Sequence, residues 1–263
     1  LGSMKRASET IEIEVSQTGR MKNNILRLTP DHKFLTYKNR ELISKEINKI
    51  MSDKEMILLA QKLPSLIQST VADKKLAYLL GAIMTDGHIY LSDTHGEVQF
   101  IQKPTEDKKE FINSVQNCLY AVFNKSFSET KKKTSEGVIR GEIVSGNANA
   151  YRCYSKQIAT QLLDYQNSTV PMLLSADEEL ILNYLAGVID GDGSYNRESN
   201  RINIYCSDDL LLQSIVVGCL RLGIVPQVSN NRNIFNVQIV EQVEKLLSYN
   251  KRVKGSYRRK RFV

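Results

Sequence analysis

Two stretches decide the fold: Leu182-Asn-Tyr-Leu-Ala-Gly-Val-Ile-Asp190-Gly-Asp192-Gly193 and, 106 residues earlier, Leu76-Ala-Tyr-Leu-Leu-Gly-Ala-Ile-Met-Thr-Asp86-Gly87. They align without a gap, Tyr78 on Tyr184, Gly81 on Gly187, Ile83 on Ile189 and Asp86 on Asp192. Each joins the apolar spacing of a helix to small residues at its middle and an acidic-glycine ending. A glycine inside a helix costs about 1 kcal/mol relative to alanine, and close approach of a second helix is a reason to keep it. The two stretches are therefore expected to pack against each other as helices.

The flanking sequence repeats as well. Strand-like runs at Ile89 to Leu91 and Val98 to Gln102 precede a helical stretch from Glu106 to Phe123, two further strands ending near Tyr154, and a short helix from Lys156 to Leu163. After Gly193 the order returns: a strand at Arg201 to Cys206, a helix at Asp209 to Leu222, strands at Val225 to Val228 and Ile234 to Ile239, and a helix at Glu241 to Leu247. The first strand of this second copy is only weakly signalled. The pattern predicts an α+β fold of two pseudo-symmetric αββαββα units spanning 71–164 and 176–250. Residues 165–175, with Pro171 inside, read as a linker.

Asp86 and Asp192 are placed at helix C-termini, where the helix dipole disfavours a carboxylate by roughly 0.3–1 kcal/mol. If the helices run parallel, the two carboxylates meet, and divalent cations would relieve their repulsion. Oxygen ligands favour Mg²⁺ over zinc, with Mn²⁺ or Ca²⁺ as substitutes in vitro; Thr85 and Gly191 count among the candidate ligands. Such a pair can activate water and stabilise the leaving oxygen of a phosphodiester. A single Asp-Gly ending is equally what a helix stopped by a left-handed glycine cap looks like. The matched pair inside a duplicated module argues for chemistry.

Composition agrees with this reading without demanding it. The 263 residues are 41% hydrophobic and 25% charged, ordinary for a globular protein, and no apolar run approaches a membrane span. No signal peptide is recognisable, so an intracellular, monomeric protein without membrane partners is expected. Leu1-Gly2-Ser3 ahead of Met4 reads as a remnant of expression. Four cysteines and three histidines show no zinc-ligand spacing, which leaves reduced, buried thiols. The net charge of +7 resides in residues 251–263, which hold seven Lys or Arg and no acid. This basic tail, with Arg258, Arg259, Lys260 and Arg261, suits sequence-independent attraction to phosphate or serves solubility.

Leu185-Ala-Gly-Val-Ile-Asp-Gly-Asp-Gly193 resembles the LAGLIDADG signature of homing endonucleases almost letter for letter, and Leu79-Leu-Gly-Ala-Ile-Met-Thr-Asp-Gly87 resembles its more diverged partner. The resemblance covers about residues 73–250. It implies signature helices at a pseudo-twofold interface, antiparallel sheets forming a saddle over the major groove of double-stranded DNA, and catalytic metals held by the last acid of each motif, here Asp86 and Asp192. It also implies a glutamine or lysine after the second strand of each unit, beside the attacking water. Gln102 and Lys103 match in the first half; Cys206 and Ser207 stand there in the second, which predicts unequal active sites. Met84 in place of Asp190 departs from the pattern in a way expected to affect packing. Candidate DNA contacts are Lys131, Lys132, Lys133 and Arg140 of a basic hairpin, a solvated loop being the plain alternative, together with Arg197, Arg201 and the tail. The expectation is a site-specific endonuclease of intron or intein homing; the alternative is a non-catalytic binder of the same fold, an RNA maturase or a transcriptional regulator.

Residues 4–70 form a separate segment. Thr10-Ile-Glu-Ile-Glu-Val15 alternates as a strand does, and Thr29-Pro-Asp-His32 resembles the histidine block of the intein splicing fold. Splicing itself is not expected: no Cys or Ser nucleophile opens the chain at Met4 and no His-Asn pair ends it. A degenerate remnant, or an unrelated accessory DNA-binding segment, are the two readings. Residues 51–68 are expected to be a helical linker.

Overall fold

The computed structural model describes residues 10–15, 24–38, 41–55, 57, 62–64, 73–131, 135–139, 142–146, 148–231 and 233–254. The chain divides into two compact units, Leu1–Gln61 and Lys62–Val263.

In the amino-terminal unit, β1 (Ile11–Val15) pairs antiparallel with β2 (Asn24–Leu28), and β3 (Lys33–Lys38) with β4 (Glu41–Glu46), which leads into α1 (Ile47–Ser52). Among the described residues its core is small: Ile13, Ile47 and Ile50 are buried, with Ile11, Leu28, Phe34 and Ile57 packed against them. Thr29 to His32 make the turn between β2 and β3, closed by the His32 N–H donating to the Thr29 carbonyl (3.0 Å). The helix expected over 51–68 stops at Ser52, and the described residues 53–55, 57 and 62–64 are not helical. Lys54 enters the left-handed region (φ 54°), and the Glu55 N–H reaches back to the Ile50 carbonyl (3.0 Å), a helix ending that satisfies an otherwise orphaned acceptor.

The larger unit contains the repeat. Its first copy runs α2 (Lys74–Asp86), β5 (Gly87–Leu91), β6 (Gly96–Gln102), α3 (Glu106–Phe123), β7 (Ser128–Lys131), β8 (Ser135–Ile139), β9 (Glu142–Gly146), β10 (Asn149–Tyr154) and α4 (Lys156–Asn167). After α5 (Thr169–Ser175) the second copy runs α6 (Glu178–Asp192), β11 (Gly193–Asn196), β12 (Arg201–Cys206), α7 (Asp209–Arg221), β13 (Gln227–Asn231), β14 (Ile234–Ile239) and α8 (Val243–Leu247). Each copy builds a four-stranded antiparallel sheet with the same path, β5-β6-β10-β7 and β11-β12-β14-β13. The first carries one extra hairpin, β8–β9, between its third and fourth strands. This is an α+β fold of two pseudo-symmetric units.

Stretch 165–175, read as a linker, is helical. The sequence helix from Lys156 runs on to Asn167, and Pro171 sits in the first turn of α5, where its missing N–H has no intrahelical partner to lose. Alternation sorts each sheet into two faces. Val98, Phe100, Tyr151 and Cys153 in the first sheet, and Ile202, Ile204, Val237 and Ile239 in the second, are buried against the helices. An aspartate caps each motif helix, two residues apart in the repeat alignment: the Asp73 side chain accepts from the Lys75 N–H (2.8 Å) and Asp177 from the Leu180 N–H (2.7 Å), each worth about 1 kcal/mol. Among the described residues no helix is long and apolar enough to cross a membrane.

Candidate active site

Helices α2 and α6 pack face to face through their glycines. A Cβ on Gly81 would stand 2.9 Å from the Val188 nitrogen and closer still to the Tyr184 carbonyl oxygen; one on Gly187 would stand 2.9 Å from the Ala82 nitrogen and closer still to the Tyr78 carbonyl oxygen. The contact is reciprocal between aligned residues, so a pseudo-twofold axis runs between the helices. They are parallel. Lys74 and Glu179 pair at their N-terminal ends, and at the other end a Cβ on Gly191 would meet the Thr85 side chain and lie 3.2 Å from Asp86 Oδ2.

Asp86 and Asp192, the last residues of the two helices, are thereby brought to the same end. Asp86 is half-buried and Asp192 more open. Burial first, then the Asp192 charge, push the Asp86 carboxyl up to about 6, against the pull of Lys108, Gln102 and Arg252. Asp192 is also raised, mainly by burial, with Arg252 and Lys108 opposing. The Gln102 amide, buried at the end of β6, donates to Asp86 Oδ2, and its oxygen accepts from Lys108 Nζ (2.5 Å) in the first turn of α3. Lys103 is exposed beyond the strand end. The lysine that reaches this group is Lys108, which no motif marks; its only local signature, a cation in the first turn of a helix where the dipole disfavours it, is shared with Lys109.

Opposite Gln102 in the second copy stands Cys206, buried, its thiol pushed up to about 11 by burial and then by Asp192; Ser207 beside it is exposed. All four cysteines are free.

The other acid of the second motif, Asp190, is fully buried. Its Oδ2 accepts from the Tyr78 hydroxyl (2.8 Å) and the Lys251 N–H (2.6 Å); its Oδ1 accepts from the Asn250 amide (2.9 Å) and the Arg252 (2.9 Å) and Val253 (3.1 Å) N–H groups. Five donors offset the cost of burying its charge. Burial and the neighbouring carboxylate keep Tyr78 protonated. Across the pseudo-axis Met84 takes the place of Asp190, and the Tyr184 hydroxyl reaches its sulfur (3.4 Å) and Ser214 (2.6 Å). No local sequence signal marks Asp190 as a structural anchor, because every one of its donors comes from 60 or more residues away.

Both acids and the main-chain oxygens around them are hard ligands, and their raised carboxyls are what a dication would lower, so the residues present fit Mg²⁺ or a similar ion. Among the described residues no three His, Cys, Asp or Glu side chains form a cluster able to hold a metal, so further positions would fall to main-chain oxygens, water and phosphate.

The outward sheet faces are polar. The first carries His88, Tyr90, Glu97, Gln99, Arg152 and Tyr154, with Arg152 paired to Glu97 (3.0 Å). In the second, Ser194, Asn203 and Gln238 lie in one cross-strand row, and Arg201 donates to Gln238 (2.8 Å). Arg197 is exposed in the turn between β11 and β12. Lys131 ends β7; Lys132, Lys133, Arg140, Arg258, Arg259, Lys260 and Arg261 lie outside the described residues.

Residues 179–254 match a family model described as a LAGLIDADG-like domain. The matched stretch covers most of the second repeat. Over 261 residues, 97% of the chain, the sequence is 26% identical to the probable phosphoenolpyruvate synthase of Methanocaldococcus jannaschii, and it spans 20% of that protein's length. Solved structures with a similar fold include the homing endonuclease I-DmoI in complex with DNA and Mn (TM-score 0.48, 16% identity, 70% of this chain and 98% of that one). Two others are the homing endonuclease I-WcaI bound to its DNA recognition sequence (0.46, 13%, 72% and 89%) and the N-terminal LAGLIDADG domain of DUF199/WhiA (0.42, 14%, 73% and 89%). At these scores the likeness is distant.

Proposed function

We propose that the protein is a site-specific, divalent-metal-dependent DNA endonuclease. The observation that carries the proposal is the meeting of Asp86 and Asp192 at one end of a parallel, glycine-packed helix pair, each carboxyl raised above its ordinary range. Asp86 and Asp192 would hold the cation, with a Thr85 oxygen as a further candidate; the Gly191 carbonyl expected beside it accepts instead from Arg252 Nη2 (3.0 Å). When bound, such an ion polarises a phosphodiester and makes water a better nucleophile.

The chain's own residues then have distinct parts. Gln102, steadied by Lys108, keeps the Asp86 carboxylate aimed. The second carboxylate has a buried thiol nearby in place of an amide, so the two strands of a duplex are cut at different rates. The amide-rich face of β11, β12 and β14 suits base edges, since Asn and Gln can pair with adenine and Arg with guanine. Arg201 Nε and Asn236 Oδ1 there are buried without partners, groups that a duplex edge could satisfy. Arg197 and the basic tail would add sequence-independent attraction to phosphate.

The match of nearly the whole chain to one fifth of a much longer protein supports an element carried within a host protein over one carried in an intron.

The test is to incubate the protein with genomic DNA from an insertion-free relative of its host, with Mg²⁺ or EDTA, and sequence all new ends. A single Mg²⁺-dependent break is expected, lost in Asp86→Asn and in Asp192→Asn while both variants still shift the duplex in a gel. Cutting by either variant at the wild-type rate sinks the assignment. Tight binding of duplex or structured RNA with no break by the wild type would favour a regulator or a maturase.

A further inference from the structure

The two carboxylates are held by unlike means. Asp86 is braced through a side chain, Gln102. Around Asp192 the main chain is braced. The Arg252 guanidinium donates through Nη2 to the carbonyls of Ile189 (3.1 Å), Gly191 (3.0 Å) and Gly193 (2.7 Å), and through Nε to that of Asp190. These four carbonyls flank Asp192 on both sides. Three of them belong to the last turn of α6, where the dipole is negative and the helix's own donors run out after the Gly193 N–H, which reaches the Ile189 carbonyl, so a fixed cation serves both needs.

Arg252 is itself held in place. The buried Asp190 carboxylate takes the backbone N–H groups of Lys251, Arg252 and Val253 and the amide of Asn250, and Lys254 continues to an ion pair with Glu110 on α3 (2.5 Å). Among the described residues the first copy shows no side-chain donor on the equivalent carbonyls at the end of α2. Arginine's planar fork can serve several carbonyls at once, which a lysine ammonium does less well.

We propose that Arg252 is a positioning residue for Asp192, carried by a loop whose latch is the buried Asp190. Residues 250–253 thus belong to the site, although they read as the start of a solvated basic tail. Asp190 and Asp192, two residues apart in one motif, divide the work: one anchors the loop and the other faces the proposed chemistry. The geometry stands apart from the endonuclease reading, while its effect on cleavage rests on that reading.

The test uses the full chain and its Arg252→Met and Arg252→Lys variants. Backbone amide exchange in metal-free protein should quicken about tenfold at residues 189–194 in Arg252→Met, with residues 83–88 unchanged, and less in Arg252→Lys. On a supercoiled plasmid carrying the target, Arg252→Met should accumulate nicked circles, cutting of one strand slowing by about 10–100-fold while duplex affinity in EDTA holds. Gln102→Ala should slow the other strand. Unchanged exchange at 189–194 overturns the proposal, as does equal slowing of both strands with exchange rising throughout, which marks a stability role only. Should Arg252→Met not fold, Arg252→Lys carries both measurements. A wild type that cuts nothing would remove the endonuclease reading, and the exchange comparison would still decide the role of Arg252.

Discussion

Asp86 is strained by its surroundings in a way that has a measurable sign. Its carboxyl is held at about 6 in the folded protein against an ordinary 3.8, so the folded state binds that proton more tightly than the unfolded one. The stability it contributes is complete below the unfolded value and is lost as pH rises through 6. Asparagine has no charge to bury or repel, so Asp86→Asn should be more stable than the wild type above pH 6 by about 1–2 kcal/mol in EDTA, after discounting for solvent screening. Urea denaturation at pH 8 and at pH 3.5 checks this: the gain should be present at the first and absent at the second. The same titration predicts that Mg²⁺ binds less tightly as pH drops below about 6, where Asp86 in the metal-free protein gains a proton, so cutting at sub-saturating Mg²⁺ should fall there.

At the scale of the element, the α2–α6 pair depends on two missing side chains. Replacing Gly187 by alanine sets a methyl group against the Ala82 nitrogen and the Tyr78 carbonyl, backbone atoms that cannot rotate away. The helices must separate, at a cost of about 1–3 kcal/mol or more, and the carboxylates at their ends must move with them. Gly187→Ala is therefore expected to lower the urea midpoint and to slow both strands of the cut together, unlike Arg252→Met. A variant as stable and as active as the wild type would show that the close contact is dispensable. Helix α3 was legible with its boundaries, Glu106–Phe123, because amphipathic spacing carries over 18 residues. β11 was weakly legible because a four-residue strand beginning at a glycine offers hardly one period of alternation.

For the whole molecule, the two compact units differ in how much core they have. The amino-terminal unit buries three isoleucines among its described residues, whereas the repeat buries two extensive clusters that share the motif helices. A small core stabilises weakly. Calorimetry of the full chain should therefore show two transitions, the earlier one removing amide protection from residues 24–50 and leaving 73–254 protected; a single transition with uniform loss would contradict the division. The duplication, the helix pair and its two terminal carboxylates were determined by the sequence alone, since aligned glycines and an aligned Asp-Gly ending are local patterns that repeat at one fixed offset. Gln102 was marked in the sequence only through the resemblance to the LAGLIDADG signature, which implies a glutamine or lysine after the second strand. Lys108, Asp190 and Arg252 were decided only by the tertiary structure. A basic residue in a run of basic residues has the same local signature whether it faces solvent or a helix terminus, and only the return of residues 250–253 across more than 60 positions brings its charge to α6.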